Sequence, residues 1–583
     1  MQGLVEDGAL VRNGTVRITR SLSQLRLPPT VQGIIAARID RLPSSQKDLL
    51  QTLAVIGRES RLRLVRQVTS IDEVLLSQNL ADLCAAEFIY EQPVTGDTEF
   101  VFKHALTQEV AYSSLLIERR KQLHERAGRA LESMSPDNLG DHLTELAHHY
   151  SHSDHAHKAI EYLGLAARQA IRRSANAEAI GSLTTAIDLL QTLPDGSERV
   201  QRELPLLLSL GPAFIAVKGW GAPEVERTFI RARELCERLG NPPASILVAN
   251  GLWMASIIRA DLSSAYDRAQ EMLHQSERTG DRFQLQLAQS VLGQTSFYMG
   301  KFSIAIEHLE TAISLHNPGR SVLAMGLNPH VVDISSAAWP LWYLGYADEA
   351  LKRGNQALAL AQSLAHPHSV VFAGVYLAIL HLLRREPSAA QETVQHLIEH
   401  SNENGLADML SFATAMNGVA MVEMGRGEEG ISAIEEGLAG IRATGLEMVR
   451  PFHLCWLADA CMKMGRIEEG LAAVTEALAA AGEHENRFNE AESHRIRGEL
   501  LFNSDAAEAR RCFVKGIEIA RAQSAKSFEL RGTLSHARLL ASQGRREEAQ
   551  ANLAEIYTWF TEGFDTADLK DAKALLDELS NSP

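Results

Sequence analysis

The sequence predicts an all-α chain, most of it a superhelix of stacked helical hairpins (an α-solenoid) with one small separate domain near the N-terminal end. Three observations carry that reading. Met424-Gly425-Arg426-Gly427-Glu428-Glu429-Gly430 returns 40 residues later as Met464-Gly465-Arg466-Ile467-Glu468-Glu469-Gly470, and self-similarity at a fixed period means stacked units, none of which buries its apolar face alone. Hydrophobic residues make up 45% of the chain but aromatics only 6%, so the core is mostly Ala and Leu, which suits closely packed helices better than sheets. Small or turn-forming residues recur near every fortieth position, at Gly300, Gly345, Glu386-Pro387, Gly425, Gly465, Ser504 and Gly544. The 583 residues therefore read as one small domain plus a long array, whose core grows in one dimension, and the array is expected to be elongated with a continuous groove.

The elements follow in order. In residues 1–27, Leu4–Val11 reads as a helix tail and Gly14–Leu22 as a short hairpin with no body to pack on, like the end of a preceding module. Pro28-Pro29 starts a helix at Thr30 whose apolar Val31, Ile34, Ile35 and Ile39 share one face. Leu42-Pro43 ends it before the next helix, Gln46–Ile56, and further helices cover about 61–69 and 72–86. Phe88–Glu91 and Glu99–Phe102 alternate as strands around a Thr95-Gly96-Asp97 turn. Three helices followed by a β-hairpin is the order of a winged helix, which places a winged-helix domain at 28–132, with its last helix from Thr107 to Glu132. After the Ser135-Pro136-Asp137 break the array occupies 140–583. Small residues also recur where its helices should cross, at Gly293 and Ala305, Ala338 and Ala350, Gly418 and Gly430, Ala458 and Gly470, and Ala537 and Ala549, because helix axes approach closely only over small side chains.

Charge and cysteine content exclude several classes. Lys and Arg number 57 against 73 Asp and Glu, a net charge of −16, which repels nucleic acid and anionic membrane over most of the surface. The exception is the stretch Arg17, Arg20, Arg26, Arg38, Arg41, Lys47, Arg58, Arg61, Arg63 and Arg66. Cys84, Cys236, Cys455, Cys461 and Cys512 form no CxxC and fit small core residues in a reducing cytoplasm. The N-terminal segment lacks an apolar leader, and the longest apolar run, Pro205–Val217, is broken by Gly211-Pro212, so neither export nor a membrane span is expected.

The turn glycine followed five positions later by a small residue resembles the tetratricopeptide repeat, most clearly around Gly300, Gly345, Gly425, Gly465 and Gly544, although the period exceeds the usual 34. Two longer segments are more specific. Leu27-Pro28-Pro29-Thr30-Val31-Gln32-Gly33, Ala37-Arg38-Ile39-Asp40-Arg41-Leu42-Pro43, Ala54-Val55-Ile56-Gly57-Arg58-Glu59 and Phe102-Lys103-His104-Ala105-Leu106 resemble the winged-helix region of bacterial STAND-type (AAA) signal-transduction ATPases, many of which begin with an adenylate cyclase domain and end in tetratricopeptide repeats. Gly219-Trp220-Gly221-Ala222-Pro223-Glu224-Val225-Glu226 is similar too, as is Ile556-Tyr557-Thr558-Trp559-Phe560-Thr561-Glu562-Gly563-Phe564-Asp565-Thr566. The resemblance implies a C-terminal, regulatory part of such a protein, with residues 1–27 the remnant of its ATPase module. A P-loop needs Gly-x4-Gly-Lys-Ser/Thr; the superficial match Gly300-Lys301-Phe302-Ser303 has Thr295 where the first glycine belongs. No ATPase or cyclase activity is therefore expected of this chain.

Candidate sites follow from these readings. Gly425–Gly430 fits G-x-G-x-x-G literally but lacks the preceding strand of a dinucleotide site, and Ile467 replaces Gly427 in the next copy, so it reads as a repeat turn. The resemblance gives His104 a latent contact with a nucleotide phosphate; the alternative is a hydrogen-bonded structural histidine. His142, His148, His149, His152, His155 and His157 invite a metal because His148 and His152 lie one helical turn apart, yet no His-Glu-x-x-His accompanies them, so a packing role is preferred and neither metal nor cofactor is expected. In the array, counting from the turns places Phe297, Trp339, Trp342, Phe412, Phe452, Asp459, Arg531 and Arg538, with Gln294 and Met462, near the concave side. The expected function is sensing a protein partner or effector in that groove on behalf of an ATPase or cyclase module encoded upstream. The alternative is a transcription regulator whose winged helix binds DNA, although nucleic acid is disfavoured because the arginines scatter over several helices.

Overall fold

The computed structural model describes residues 10–13, 15–18, 29–94, 96–134, 138–240, 242–319, 323–404 and 406–581. Among them are 28 α-helices and five short strands, and the contacts divide the chain into two units: one runs to Gln169 and includes Thr185–Thr192, the other comprises Ala170–Thr184 and everything from Leu193 onward.

The first unit opens with a hairpin, β1 (Leu10–Asn13) and β2 (Thr15–Ile18). It lies earlier than the Gly14–Leu22 expected from sequence, and it turns Leu10 and Val11, expected in a helix tail, into strand. The rest of that expected tail and Leu22 fall outside the described residues, as do Arg20, Arg26 and Thr95. Helices α1 (Pro29–Asp40), α2 (Ser44–Ile56), α3 (Leu62–Thr69) and α4 (Glu73–Ala85) follow, with β3 (Glu59–Arg61) between α2 and α3. β4 (Ile89–Val94) and β5 (Asp97–Phe102) complete an antiparallel sheet of order β3-β5-β4, in which Ser60 pairs with Phe100 and Ile89 with Phe102. β3 escaped the sequence reading because three residues carry no alternation to detect.

This unit's core gathers Leu49, Leu50 and Leu53 of α2, Val65, Leu76, Leu80, Leu83, Phe88, Phe100 and Phe102. Of the apolar face expected on α1, Ile39 is buried and Ile35 packs on this core, whereas Val31 and Ile34 are 43% and 64% exposed. The single helix expected from Thr107 to Glu132 is two, α5 (Ala105–Ser113) and α6 (Ile117–Met134). Arg120 stabilises the break by donating to the carbonyls of Tyr112 (3.1 Å) and Leu115 (3.3 Å). After a short 3-10 turn come α7 (Leu143–Ser151) and α8 (Ala156–Arg172), and α9 (Asn176–Gln191) follows.

In the second unit the chain runs as α10 (Ser197–Lys218), α11 (Pro223–Arg238), α12 (Ser245–Ile258), α13 (Leu262–Thr279), α14 (Arg282–Tyr298), α15 (Phe302–Leu315), α16 (Pro329–Tyr343), α17 (Ala347–Ser363), α18 (Pro367–Leu383) and α19 (Pro387–Asn404). It continues through α20 (Ala407–Glu423), α21 (Gly427–Ala443), α22 (Arg450–Lys463), α23 (Ile467–Glu483), α24 (Glu490–Leu501), α25 (Ala506–Ala522), α26 (Lys526–Ser542), α27 (Arg546–Tyr557) and α28 (Ala567–Asn581). α10 crosses Gly211-Pro212 without a break and carries two internal prolines. It is the one described helix long and apolar enough to span a membrane, with 56% of its apolar window buried in the protein. Gly211 is needed there because the Phe229 ring fills the space of a Cβ, 2.5 Å away.

The turns between paired helices are left-handed: φ is +74° at Gly300, +100° at Gly345, +86° at Gly425, +72° at Gly465 and +79° at Gly544, the helix-ending conformation that glycine adopts without strain. The small-residue crossings also meet, since a Cβ on Gly418 would lie 2.5 Å from the carbonyl oxygen of Gly430, and one on Gly470 would lie 3.2 Å from that of Ala458. The G-x-G-x-x-G run is thus a repeat turn: Gly425 makes the turn, Gly427 opens α21 and Gly430 packs on Gly418.

The array does not stay open along its length, as a simple stack would. The Ile258 carbonyl at the end of α12 accepts from the amides of Glu447 (2.9 Å) and Met448 (3.2 Å), just before α22. Tyr298, ending α14, accepts likewise from Arg487 (3.0 Å) and Phe488 (3.2 Å), just before α24. Ser527 Oγ in α26 donates to the Trp342 carbonyl in α16 at 2.5 Å, and Arg385, following α18, pairs with Asp568 of α28 at 3.3 Å. Each link joins the first helix of one pair to the first helix five pairs later, so five pairs complete a superhelical turn and the next turn seals against it.

Candidate functional site

Sealing turns the expected groove inward, and among the described residues an apolar and a charged cavity lie there, both lined mainly by the first helices of the pairs. The first, about 120 Å³, is apolar: Trp220, Trp253, Leu287, Trp339, Tyr376 and Phe412 are among its walls. Two of its tryptophans are held by their indole donors, Trp253 Nε1 to Thr295 Oγ1 at 2.9 Å and Trp339 Nε1 to the Tyr376 carbonyl at 3.0 Å, and the Trp339 and Tyr376 rings stack with centroids 4.1 Å apart. Gln294 supplies one of the few polar groups, donating to Ser290 Oγ at 3.1 Å. Directly behind this wall the carboxyl of Asp333 is buried, and that burial pushes it up to about 7 despite donors from Ser290 and Gln286.

The second cavity, about 300 Å³, is charged. Glu492 is gripped by Arg495 through two bonds of 2.8 Å and approached by Arg531 at 3.4 Å. Burial alone would raise this carboxyl; the two guanidinium groups overcome it and hold it at about 2. Arg531 also bonds Asp568 Oδ2 (2.8 Å) and the Leu383 carbonyl (2.5 Å), which ties the network to the seal between turns. Asp459 pairs with Lys463 at 2.6 Å. Arg538 stands on the same wall, exposed, with no ion pair or hydrogen bond among the described residues.

Six of the eight groove residues chosen from sequence therefore line a cavity: Trp339 and Phe412 the first, Phe452, Asp459, Arg531 and Arg538 the second. Gln294 joins the first and Met462 the second. Phe297 and Trp342 line neither. Phe297 is 4% exposed and packs on Phe302, Trp339, Tyr343 and Phe488, the last across the seal; Trp342 lies under the Arg531 guanidinium at 4.9 Å and edge-on to Phe528. The sequence reading missed Trp253, Tyr376, Glu492 and Arg495. Glu492 and Arg495 sit in a helix that also carries Glu490, His494, Arg497 and Glu499, so no local signal singled them out.

In the first unit His104 caps the start of α5 straight after β5, its ring exposed and making no hydrogen bond among the described residues. Part of the basic stretch is committed within the unit. Arg38 donates to the Ala86 carbonyl (2.9 Å) and lies over the Phe88 ring, Lys47 pairs with Asp40 (2.7 Å) and Arg66 with Glu73 (2.6 Å). All five cysteines are free thiols.

By its fold this is a helical-repeat protein, a solenoid with a small α/β unit before it. No protein-family model matches the chain. An uncharacterized protein of Rhizobium meliloti (strain 1021) is 24% identical over 453 residues, which cover 76% of this chain; the chain spans 43% of that protein. Among solved structures, a Rap protein complexed with Competence and Sporulation Factor aligns over 72% of this chain and 99% of its own, with 13% identity and a TM-score of 0.41. The quorum sensor NprR from B. thuringiensis covers 62% of this chain and 99% of its own at 15% identity and a TM-score of 0.40. A Signal Transduction ATPase with Numerous Domains from Pyrococcus horikoshii, with a tetratricopeptide repeat sensor, covers 94% of this chain and 66% of its own at 13% identity and a TM-score of 0.30.

Proposed function

We propose that this chain is the non-catalytic sensing and protein-interaction region of a cytoplasmic STAND-type ATPase or cyclase signalling system, and that it receives its effector inside the solenoid. One observation carries the reading. The apolar and the charged cavities share helices: Phe372–Ile379 of α18 and Met409–Phe412 of α20 face the first, while Leu382-Leu383 and Val419–Glu423, further along the same helices, face the second. A peptide segment with an apolar side chain at one end and an acidic group at the other satisfies both, the acid meeting the unpaired Arg538. The winged-helix reading of residues 28–132 supplies the coupling element to the ATPase module, and the resemblance puts His104 at its nucleotide-facing side. Differential affinity for two arrangements of the array is what an effector must supply to switch such a system.

The test is an arrayed library of short peptides read by fluorescence anisotropy against the purified chain, with ATP turnover measured in parallel. Apolar–acidic peptides should bind, weaken at least tenfold in Trp339→Ala and in Arg538→Ala, and be accompanied by no hydrolysis. Binding indifferent to both substitutions, or hydrolysis that survives purification, defeats the proposal.

A further inference from the structure

We propose that His124, His148 and His152 form a binding site for a divalent transition-metal ion of the zinc class. His148 and His152 lie one turn apart at the end of α7, and His124 comes to them from α6, 24 residues earlier, a third donor that spacing in sequence alone did not offer. One ring nitrogen from each lies within 4.8 Å of the others. Three bonds of about 2.0–2.1 Å at tetrahedral angles set donors about 3.4 Å apart, so small ring rotations close the site. His148 and His152 are exposed, which gives an ion its way in, while His124 is fully buried and fixes the floor.

The surroundings orient the rings. His152 Nδ1 lies 2.8 Å from the His148 carbonyl oxygen, which can only accept, so Nδ1 carries the hydrogen and leaves Nε2 as the lone-pair nitrogen. His124 is held from both sides, Nε2 by the Tyr112 hydroxyl at 3.0 Å and Nδ1 by His149 Nδ1 at 3.0 Å. One contact yields to the ion and the other stays to aim the ring, the outer-shell arrangement that metal-bound imidazoles use. Arg120 donates to the carbonyls of Tyr112 and Leu115. Two other histidines of the run are engaged elsewhere, His142 with Glu145 (3.1 Å) and His155 with Glu125 (2.8 Å).

A donor set made of imidazoles alone selects Zn²⁺, Co²⁺, Ni²⁺ or Cu²⁺ over Mg²⁺ and Ca²⁺. Bound there, the ion pins α6 to α7. The experiment uses the full, tag-free chain in calorimetric titrations with Zn²⁺ and with Mg²⁺, and a Co²⁺ titration read by the visible bands of four-coordinate cobalt. One Zn²⁺ per chain is expected, no Mg²⁺, and an intense cobalt spectrum. His148→Gln and His152→Gln, both exposed and so expected to fold, should each lower Zn²⁺ affinity more than tenfold and abolish the cobalt bands; circular dichroism confirms folding. Absence of stoichiometric binding, or binding unchanged in both variants, overturns the site.

Discussion

The hydroxyl of Ser527 donates to the carbonyl of Trp342 across 185 residues of sequence, at 2.5 Å. It is one stitch of a seam that also joins Ile258 to Glu447 and Tyr298 to Phe488, and it explains why the solenoid encloses cavities instead of presenting an open groove.

The seam at its tightest gives a first prediction. A Cβ on Gly221 would lie 2.1 Å from the Thr444 carbonyl oxygen, whereas one on Gly33 would meet nothing within 4 Å. Gly221→Ala therefore forces backbone apart and should cost more than about 3 kcal/mol, at the severe end for single substitutions. Gly33→Ala, inside α1, should be neutral or stabilising by up to about 1 kcal/mol. Urea unfolding of the two variants checks the contrast.

Two arginines on one cavity wall should behave oppositely. Arg531 holds Glu492, Asp568 and the Leu383 carbonyl, and its loss leaves buried carboxylates short of a partner, so Arg531→Ala should cost about 3–5 kcal/mol. Arg538 has no such partner among the described residues, and Arg538→Ala should stay within about 0.5 kcal/mol of wild type. Thermal melts distinguish them, and an equal loss in both would refute the reading of Arg538 as a cation without a partner among the described residues.

Asp333 sets an alkaline trend. Its folded value of about 7 stands above the unfolded value of about 3.9. Between these the folded chain keeps a proton that the unfolded chain has lost, so stability falls as pH rises through that window and levels off above it. Asp333→Asn removes this term, which is on the order of 4 kcal/mol. Its Tm relative to wild type should therefore improve between about pH 5 and about pH 8.

Glu492 acts at the other end. Its folded value of about 2 lies below the unfolded value of about 4.3, so its contribution is fully present above about 4.3 and is lost as pH falls through about 2. Glu492→Gln should be less stable than wild type near neutrality and should show a flatter acid limb. Denaturation profiles from about pH 6 to about pH 2 read this directly.

Local chemistry made the repeats legible. Gly300, Gly345, Gly425, Gly465 and Gly544 sit at left-handed turns, a property of each residue and its neighbours alone. Trp339, Phe412, Asp459 and Arg538 could be placed on the inner side by counting from those turns. The pairing of α16 with α26 could not, because pitch depends on small rotations added over five pairs. For the same reason Phe297 and Trp342, inward-facing by count, proved to be packing residues at the seal. Pro212 inside α10 misled because a helix tolerates proline where neighbouring packing compensates, and His124 was invisible because it belongs to a different helix from His148.

Stitching coil to coil also changes how the second unit comes apart. Repeat arrays whose units touch only their neighbours fray from the ends, pair by pair. Here α28 supplies Asp568 and Asp571 to Arg385, more than 180 residues away, so losing the last pair also unfastens a coil in the middle. The unit should melt in a single sharp transition and refold slowly for a helical protein, because its closing contacts wait for distant stretches of chain to meet.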